Sequence, residues 1–132
     1  MKNIFLSIFA AAALASCSSL SSTKVGGSQA NIAGTKWILA EQVKGKTPTL
    51  NIETDKITGN GGCNSYFGEV LLDATAGNFS AKNIASTKMA CADMSAESNF
   101  FSMLSEANKY VVNGNTLELY KGNLLLLKFS KQ

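Results

Sequence analysis

Cysteine is the residue type in this sequence with the widest chemical repertoire, and it occurs at positions 17, 63 and 91. Histidine is absent from the chain, which removes the Ser-His and Cys-His pairs that activate most nucleophiles. Ser86 lies two residues before Lys88, so a strand would place this Ser-Lys pair on one face. Serine and lysine are both common in this chain, so such a pair is expected by chance. We therefore expect no catalytic residue and no enzymatic activity.

The acidic residues and glycines form neither a metal-binding nor a phosphate-binding pattern. Asp55, Asp73 and Asp93 are scattered and lack the closely spaced oxygens of a calcium loop. The glycine cluster at residues 59–62 lacks both the Gly-Lys-Ser/Thr ending and the following helix of a phosphate-binding loop. We therefore expect no metal and no cofactor.

The first 17 residues have the composition of an export signal. Lys2 precedes an apolar run at residues 4–14, which is shorter than the about 20 residues that a membrane-spanning helix needs. The sequence Leu14-Ala15-Ser16-Cys17 follows and resembles the bacterial lipobox. That resemblance implies cleavage after residue 16 and a lipid on Cys17; the alternative is an ordinary signal peptide with an incidental cysteine. We expect residues 1–16 to be the signal peptide.

Lipidation of Cys17 would place the mature chain in the cell envelope. Each buried methylene contributes roughly 0.8 kcal/mol, so two or three acyl chains anchor a protein durably. The residue after Cys17 is Ser18 and not Asp. By resemblance to enterobacterial lipoprotein sorting, this favours the outer membrane, facing the periplasm. Residues 17–30 are rich in Ser and Gly and predict a flexible linker, so we expect the folded domain at residues 31–132.

The remaining cysteines and the charge balance narrow the interpretation further. With Cys17 assigned to lipid, Cys63 and Cys91 form an even pair, which in an oxidising compartment predicts a disulfide; the alternative is two buried free thiols. The net charge of +3 is too small to indicate nucleic-acid binding. We expect a monomer with no nucleic-acid partner.

The pattern of apolar residues predicts several short strands, one helix and three more strands. The helix is expected at residues 95–108, capped by Asp93 or Ser95, with Glu97 placed favourably for the helix dipole. Its apolar face consists of Phe100, Met103, Leu104 and Ala107. The predicted strands are 35–44, 50–53, 55–59, 66–73, 78–80, 83–91, 110–112, 116–120 and 124–129.

This order of elements predicts a mostly β (α+β) fold. A single helix cannot cover both faces of a sheet, so we expect a curled antiparallel sheet, a partly open barrel, packed on the amphipathic helix. Trp37 is interpreted as a core residue. The last strand, at residues 124–129, is expected to be buried on both sides or packed under the helix.

Several segments of the chain resemble the META domain family, including the HslJ-like bacterial lipoproteins. They are residues 34–39, 58–68 (TGNGGCNSYFG), 84–91 (IASTKMAC), 97–101 and 117–119. The resemblance covers roughly residues 31–130 and implies a curved antiparallel sheet wrapped on a helix. It also implies a secreted or lipid-anchored protein, with links to heat shock and drug tolerance in some members, but no defined reaction.

Two polar residues beside the cysteine pair have alternative interpretations. Asn64 and Thr87 either hydrogen-bond the local backbone, which we favour, or contact a partner at the surface. The overall expectation is a non-catalytic envelope lipoprotein that binds or scaffolds an envelope protein in stress tolerance. The alternative is a carrier of a small hydrophobic ligand or lipid inside the barrel.

Overall fold

The computed structural model describes residues 24–132. The predicted signal peptide, Cys17 and the first part of the linker therefore lie outside the described residues. The elements, in chain order, are β1 (Thr35–Leu39), β2 (Thr49–Ile52), β3 (Lys56–Asn60), β4 (Ser65–Asp73), β5 (Asn78–Ser86), α1 (Ser95–Glu106), β6 (Lys109–Asn113), β7 (Thr116–Lys121) and β8 (Leu124–Lys131).

The strands form a closed antiparallel barrel in which each strand pairs with its neighbours in sequence. The barrel closes where β1 pairs with β8, with Leu39 opposite Phe129. Strands β5 and β6 share one residue pair, Asn78 with Lys109, and α1 packs against β5 and β8. The predicted mostly β class with one packed helix is confirmed, and the barrel is fully closed where a partly open one was expected.

Alternation along the strands fills the barrel interior with apolar side chains. On β4, Tyr66 and Val70 point inward while Phe67 and Leu71 are exposed. Trp37 is buried, which confirms its interpretation as a core residue. Burying a large apolar side chain contributes about 1.5–3 kcal/mol, so the interior supplies most of the favourable free energy. The largest fully buried side chains are Trp37, Tyr110, Phe79, Phe100, Phe129, Ile32, Leu50, Ile52, Ile57, Leu104, Leu117 and Leu119.

The helix presents the predicted face to this core. Phe100 and Leu104 are fully buried, and the Phe100 ring meets those of Tyr66 and Phe129 edge-on, at 5.7 and 6.3 Å between ring centroids. The predicted cap is wrong. The helix begins after Met94, which makes no side-chain capping bond.

Near the start of the helix, Asp93 accepts hydrogen bonds from the N–H and hydroxyl of Ser95. Asp93 therefore orders the turn before the helix. At its other end, the helix stops at Glu106, two residues before the predicted end at Asn108.

Several strand predictions also need correction. The strands expected at residues 78–80 and 83–91 form a single strand, β5. The first strand stops at Leu39 because residues 40–48 form a long connection, and the segment after Ser86 is irregular up to the helix. The last strand is not buried on both sides. Leu124 is 63% and Leu125 44% exposed, because this end of β8 pairs only with β7. The other expectation for this strand, packing under the helix, is confirmed at Phe129, whose buried ring meets that of Phe100.

Residues 24–30, predicted as part of a flexible linker, pack against the barrel. Gln29 is buried; its N–H donates to the carbonyl of Ala74 at 2.7 Å, and its side-chain oxygen accepts from the N–H of Val112 at 3.1 Å. The Tyr110 hydroxyl donates to the carbonyl of Ala30 at 2.9 Å. The linker prediction is therefore wrong for this part. Gln29 is buried against backbone groups of the barrel, and composition alone does not reveal such contacts.

Candidate functional site

Three connections meet at one end of the barrel, and two of them, residues 40–48 and 87–94, are longer than the turns at the other end. The three are residues 40–48 between β1 and β2, 61–64 between β3 and β4, and 87–94 between β5 and α1. In an antiparallel barrel, alternate connections emerge at the same end. The turn at residues 74–77, against which Gln29 packs, therefore lies at the opposite end.

A disulfide joins two of these connections. Cys63 and Cys91 are bonded, with 6.1 Å between their Cα atoms, which confirms the predicted pairing and excludes the two free thiols. The bond ties the loop before β4 to the segment before α1. It therefore fixes the irregular residues 87–94 to the barrel at the point where no strand holds them.

Asn64, next to this disulfide, is 2% exposed and uses its whole amide. Its Nδ2 donates to the carbonyl of Met89 at 3.2 Å and to Oε1 of Glu97 at 2.7 Å. Its Oδ1 accepts from the Met89 N–H at 2.7 Å and from the Thr87 hydroxyl at 2.8 Å. Asn64 thus holds the backbone of Met89, 25 positions away in the chain, where a bond to its local backbone was expected, and a buried Asn64 is not a surface contact. Thr87 is exposed, and its hydroxyl donates to the Asn64 side chain instead of to backbone.

Glu97 is the residue that sequence reasoning missed. Its carboxylate is only 4% exposed, and Oε2 accepts from the N–H groups of Cys63 at 2.8 Å and Asn64 at 2.6 Å. A signal was present: Glu97 lies three residues before Phe100 and seven before Leu104, on the helix face that must be buried. A carboxylate in that position needs hydrogen-bond donors from another element.

Hydrogen bonds lower the pKa of Glu97 by more than desolvation raises it. Burial raises the pKa of its carboxyl, but the donors on Asn64 and Cys63 and the nearby charge of Lys88 lower it more, so the pKa lies below its ordinary value. The group is ionised and fully occupied by protein donors. We call Cys63, Asn64, Thr87, Met89 and Glu97 the clamp.

A two-part groove runs between the connection at residues 40–48 and the first turns of α1. Each part has a volume of about 280 Å³, and the two parts share Val43, Pro48 and Ala96. The first part is bordered by the disulfide and carries Lys44, Gly45, Lys46, Gly61, Gly62, Ala92, Asp93 and Glu97. The second part is lined by Leu39, Glu41, Ser95, Asn99, Phe100, Met103 and Leu127. We call the whole the α1 groove.

The other candidate chemistry lies outside this groove. The Lys88 ammonium is 3.4 Å from the Ser86 hydroxyl at the exposed edge of a separate shallow depression. The Asn64 carboxamide and the Glu97 carboxylate line the same depression, but these two groups already bind each other. Across residues 24–132, no three Cys, Asp or Glu side chains lie close enough to hold a metal ion.

No helix in the described part of the chain has the length and apolar character required to cross a bilayer. The described cavities are all open to the surface, and the barrel interior is occupied by the packed side chains described above. An interior ligand chamber, the alternative that the sequence left open, would need those side chains to move.

Comparison with known proteins places these observations in a family. The family model of the META domain matches residues 23–132. An NMR structure of a protein from Burkholderia xenovorans aligns with a TM-score of 0.60 at 22% identity, covering 76% of this chain and 83% of that one. A second NMR structure aligns with a TM-score of 0.58 at 22% identity, covering 75% and 90%. These two show a shared fold; no curated protein matches.

Proposed function

This chain belongs to the META domain family, and from that premise we propose that it is a non-catalytic lipoprotein of the bacterial cell envelope. Anchored through a lipid on Cys17, it would bind an envelope component in the α1 groove and serve in envelope stress tolerance. The observation that carries the proposal is the α1 groove, which the disulfide and the clamp hold open at the end of the barrel opposite the N-terminal segment.

The arrangement of the two ends supports an anchored binding protein. Residues 24–30 pack at the end of the barrel that carries the turn at residues 74–77. Seven residue steps separate Cys17 from Lys24, and an extended chain covers at most about 3.3–3.6 Å per residue. The anchored end of the barrel would thus stay within roughly 25 Å of the membrane, and the groove lies at the opposite end of the barrel.

The rigidity of the groove supports recognition. A site that is ordered before binding loses little conformational entropy when the ligand arrives. The disulfide fixes the wall at Cys63 and Cys91, and the Asn64–Glu97 pair joins β4 to α1 beneath it. The polar groups of the clamp are hydrogen-bonded to one another, which supports a structural role for them. A binding role then falls to the groove beside them.

A non-catalytic role is supported by the state of the polar groups. The carboxylate of Glu97 has three protein donors, and Ser86 and Lys88 stand at the surface on a strand end. A general base must reach the proton it removes and have a pKa suited to that task. Glu97 has its oxygens occupied and a pKa below its ordinary value, so it suits a fixed anion better than a base.

The experiment that tests the proposal uses the full chain in the envelope. A photo-crosslinking residue is placed at Ala96 in the groove and, as a control, at Ser102 on the exposed side of the same helix. We expect a discrete adduct, identified by mass spectrometry, at Ala96 only, and we expect Cys17→Ala to move the protein from the membrane to the soluble fraction. Equal labelling at both positions would contradict groove binding, and membrane retention of Cys17→Ala would contradict anchoring.

A further inference from the structure

We propose that the α1 groove binds a single-chain anionic amphiphile, a long-chain carboxylate of the fatty-acid type, with its head beside Lys44 and Lys46 and its chain along α1. This inference rests on the proposed function, because it names the ligand class of the same groove. It differs from the interior carrier expected from the sequence, since the ligand would lie outside the packed barrel.

The continuity of the groove indicates a ligand with one long apolar part. Val43, Pro48 and Ala96 border both parts, so the two parts adjoin at these three side chains. The far part continues over apolar side chains from three elements, β1, α1 and β8: Leu39, Phe100, Met103 and Leu127. Each methylene buried on such a floor adds to the affinity of the ligand.

The polar lining discriminates against a peptide backbone in this floor. A bound peptide brings an N–H and a C=O with each residue, and each must find a partner when water is removed. At the junction of the two parts, Val43, Pro48 and Ala96 have no polar side-chain atom, and Pro48 has no N–H to offer. An acyl chain carries no group that needs such a partner.

The lysines and carboxylates of the first part balance in formal charge, so the preference for an anionic head depends on which of these groups remain free to meet it. Among the described residues, Lys44 and Lys46 form no ion pair and no side-chain hydrogen bond. The two carboxylates in the same part are engaged: Asp93 accepts from Ser95, and Glu97 belongs to the clamp. The cations that remain unpartnered are therefore the two lysines. Glu41 borders the far part, which leaves that end unsuited to an anion.

The test is a binding titration of the purified mature domain with an undecanoic acid that carries a dansyl group at its far end. We expect saturable binding at one site per molecule and a stronger affinity than for the corresponding alcohol. Lys44→Gln with Lys46→Gln should weaken binding by about three- to tenfold, as expected for exposed charge pairs. The same change at Lys82 and Lys131, which are exposed elsewhere on the barrel, serves as the matched control.

A second variant makes the test independent of charge. Ala96→Phe fills the point that both parts share, and we expect it to abolish binding while Ser102→Phe on the outer face does not. Far-UV circular dichroism and an intact disulfide by mass spectrometry establish that the variants fold. No saturable binding by the parent domain would overturn the inference, and so would equal affinity in Ala96→Phe. If the carboxylate fails to bind while Ala96 still crosslinks in the envelope, the ligand class is wrong and the proposed function survives.

Discussion

The side-chain amide of Asn64 and the carboxylate of Glu97 lie 2.7 Å apart, although 33 positions separate them in the chain. This contact joins the start of β4 to the first turn of α1, and the backbone N–H groups of Cys63 and Asn64 complete the shell around the carboxylate. Hydrogen bonds to a buried charged group contribute about 1.5–3 kcal/mol each. The pair therefore fixes the helix on the barrel and, with it, one wall of the α1 groove.

Glu97→Ala should lower the free energy of unfolding by about 3–5 kcal/mol, because three donors lose their acceptor in a buried site. Chemical denaturation at neutral pH measures the loss. Glu106→Ala provides the control at the other end of the helix, where the carboxylate is exposed and pairs with Lys121 at 3.0 Å. The control should cost less than about 1 kcal/mol; a Glu97 variant as mild as this control would show that the clamp does not hold the helix.

The stability of the domain should fall in acid, and Glu97 should account for much of the decline. Its pKa in the folded protein lies below the ordinary value of 4.5, so the unfolded chain takes up the proton first as the pH drops. The stabilisation is complete above about pH 4.5 and is lost as the pH falls from there through the lower folded-state pKa.

Denaturation midpoints of the parent and of Glu97→Gln, measured from about pH 7 to about pH 3, test this prediction. The parent should lose stability more steeply than the variant over the acidic half of that range. Asp73 and Asp93 also have lowered pKa values, from hydrogen bonds with Thr75 and Ser95, so Asp73→Asn serves as an exposed control. Parallel curves for parent and Glu97→Gln would refute the assignment.

Removal of the disulfide should destabilise the domain and loosen the groove. The bond closes a loop with a sequence separation of 28, for which the chain-entropy model gives roughly 3–4 kcal/mol. Cys63→Ser with Cys91→Ser should lose that amount in denaturant, and reduction of the parent should reproduce it. Hydrogen exchange should show faster exchange of the amides at residues 90–94 than in the parent. Unchanged exchange there would mean that the clamp alone orders the segment.

Gly59→Ala should be more damaging than a change at most other glycines. A methyl group there would press on the backbone carbonyl of Thr49 and reach the Tyr66 ring, and neither the paired backbone nor the buried ring can move away freely. Forcing extra atoms into packed structure costs typically about 1–3 kcal/mol.

Gly114→Ala is the comparison for that variant. Gly114 has a φ of 57° but open space around its Cα, so its cost is backbone strain of about 1 kcal/mol. Thermal denaturation of both variants gives the order. A Gly59→Ala protein at least as stable as Gly114→Ala would contradict the close approach of β2 and β3.

Local patterns were sufficient to predict most of the strands, the helix face at Phe100 and Leu104, and the pairing of Cys63 with Cys91, although they divided β5 into two strands. Each of these depends on residue spacing or on the pairing of cysteines. The resemblance to the META domain family was confirmed over residues 23–132.

The remaining features depend on contacts between distant residues, for which a single sequence carries no local signal. Barrel closure requires β1 to pair with β8, with Leu39 opposite Phe129, and the register of that pairing is set by the tilt of all the strands. Gln29 stands in a Ser- and Gly-rich stretch, and that stretch is ordered by its bonds to Ala74 and Val112 and by the bond from Tyr110 to Ala30. Glu97 was assigned to the helix dipole because its donors come from a different element.

The measurement that tests the central claim most directly is survival of envelope stress by a strain that lacks the native protein and carries Ala96→Phe or Ser102→Phe in its place. Both variants should accumulate in the membrane fraction at the parent level, because neither change touches Cys17 or the clamp. We predict that Ser102→Phe restores survival and that Ala96→Phe does not. Full restoration by the membrane-bound Ala96→Phe protein would contradict the account, since the α1 groove would then be dispensable.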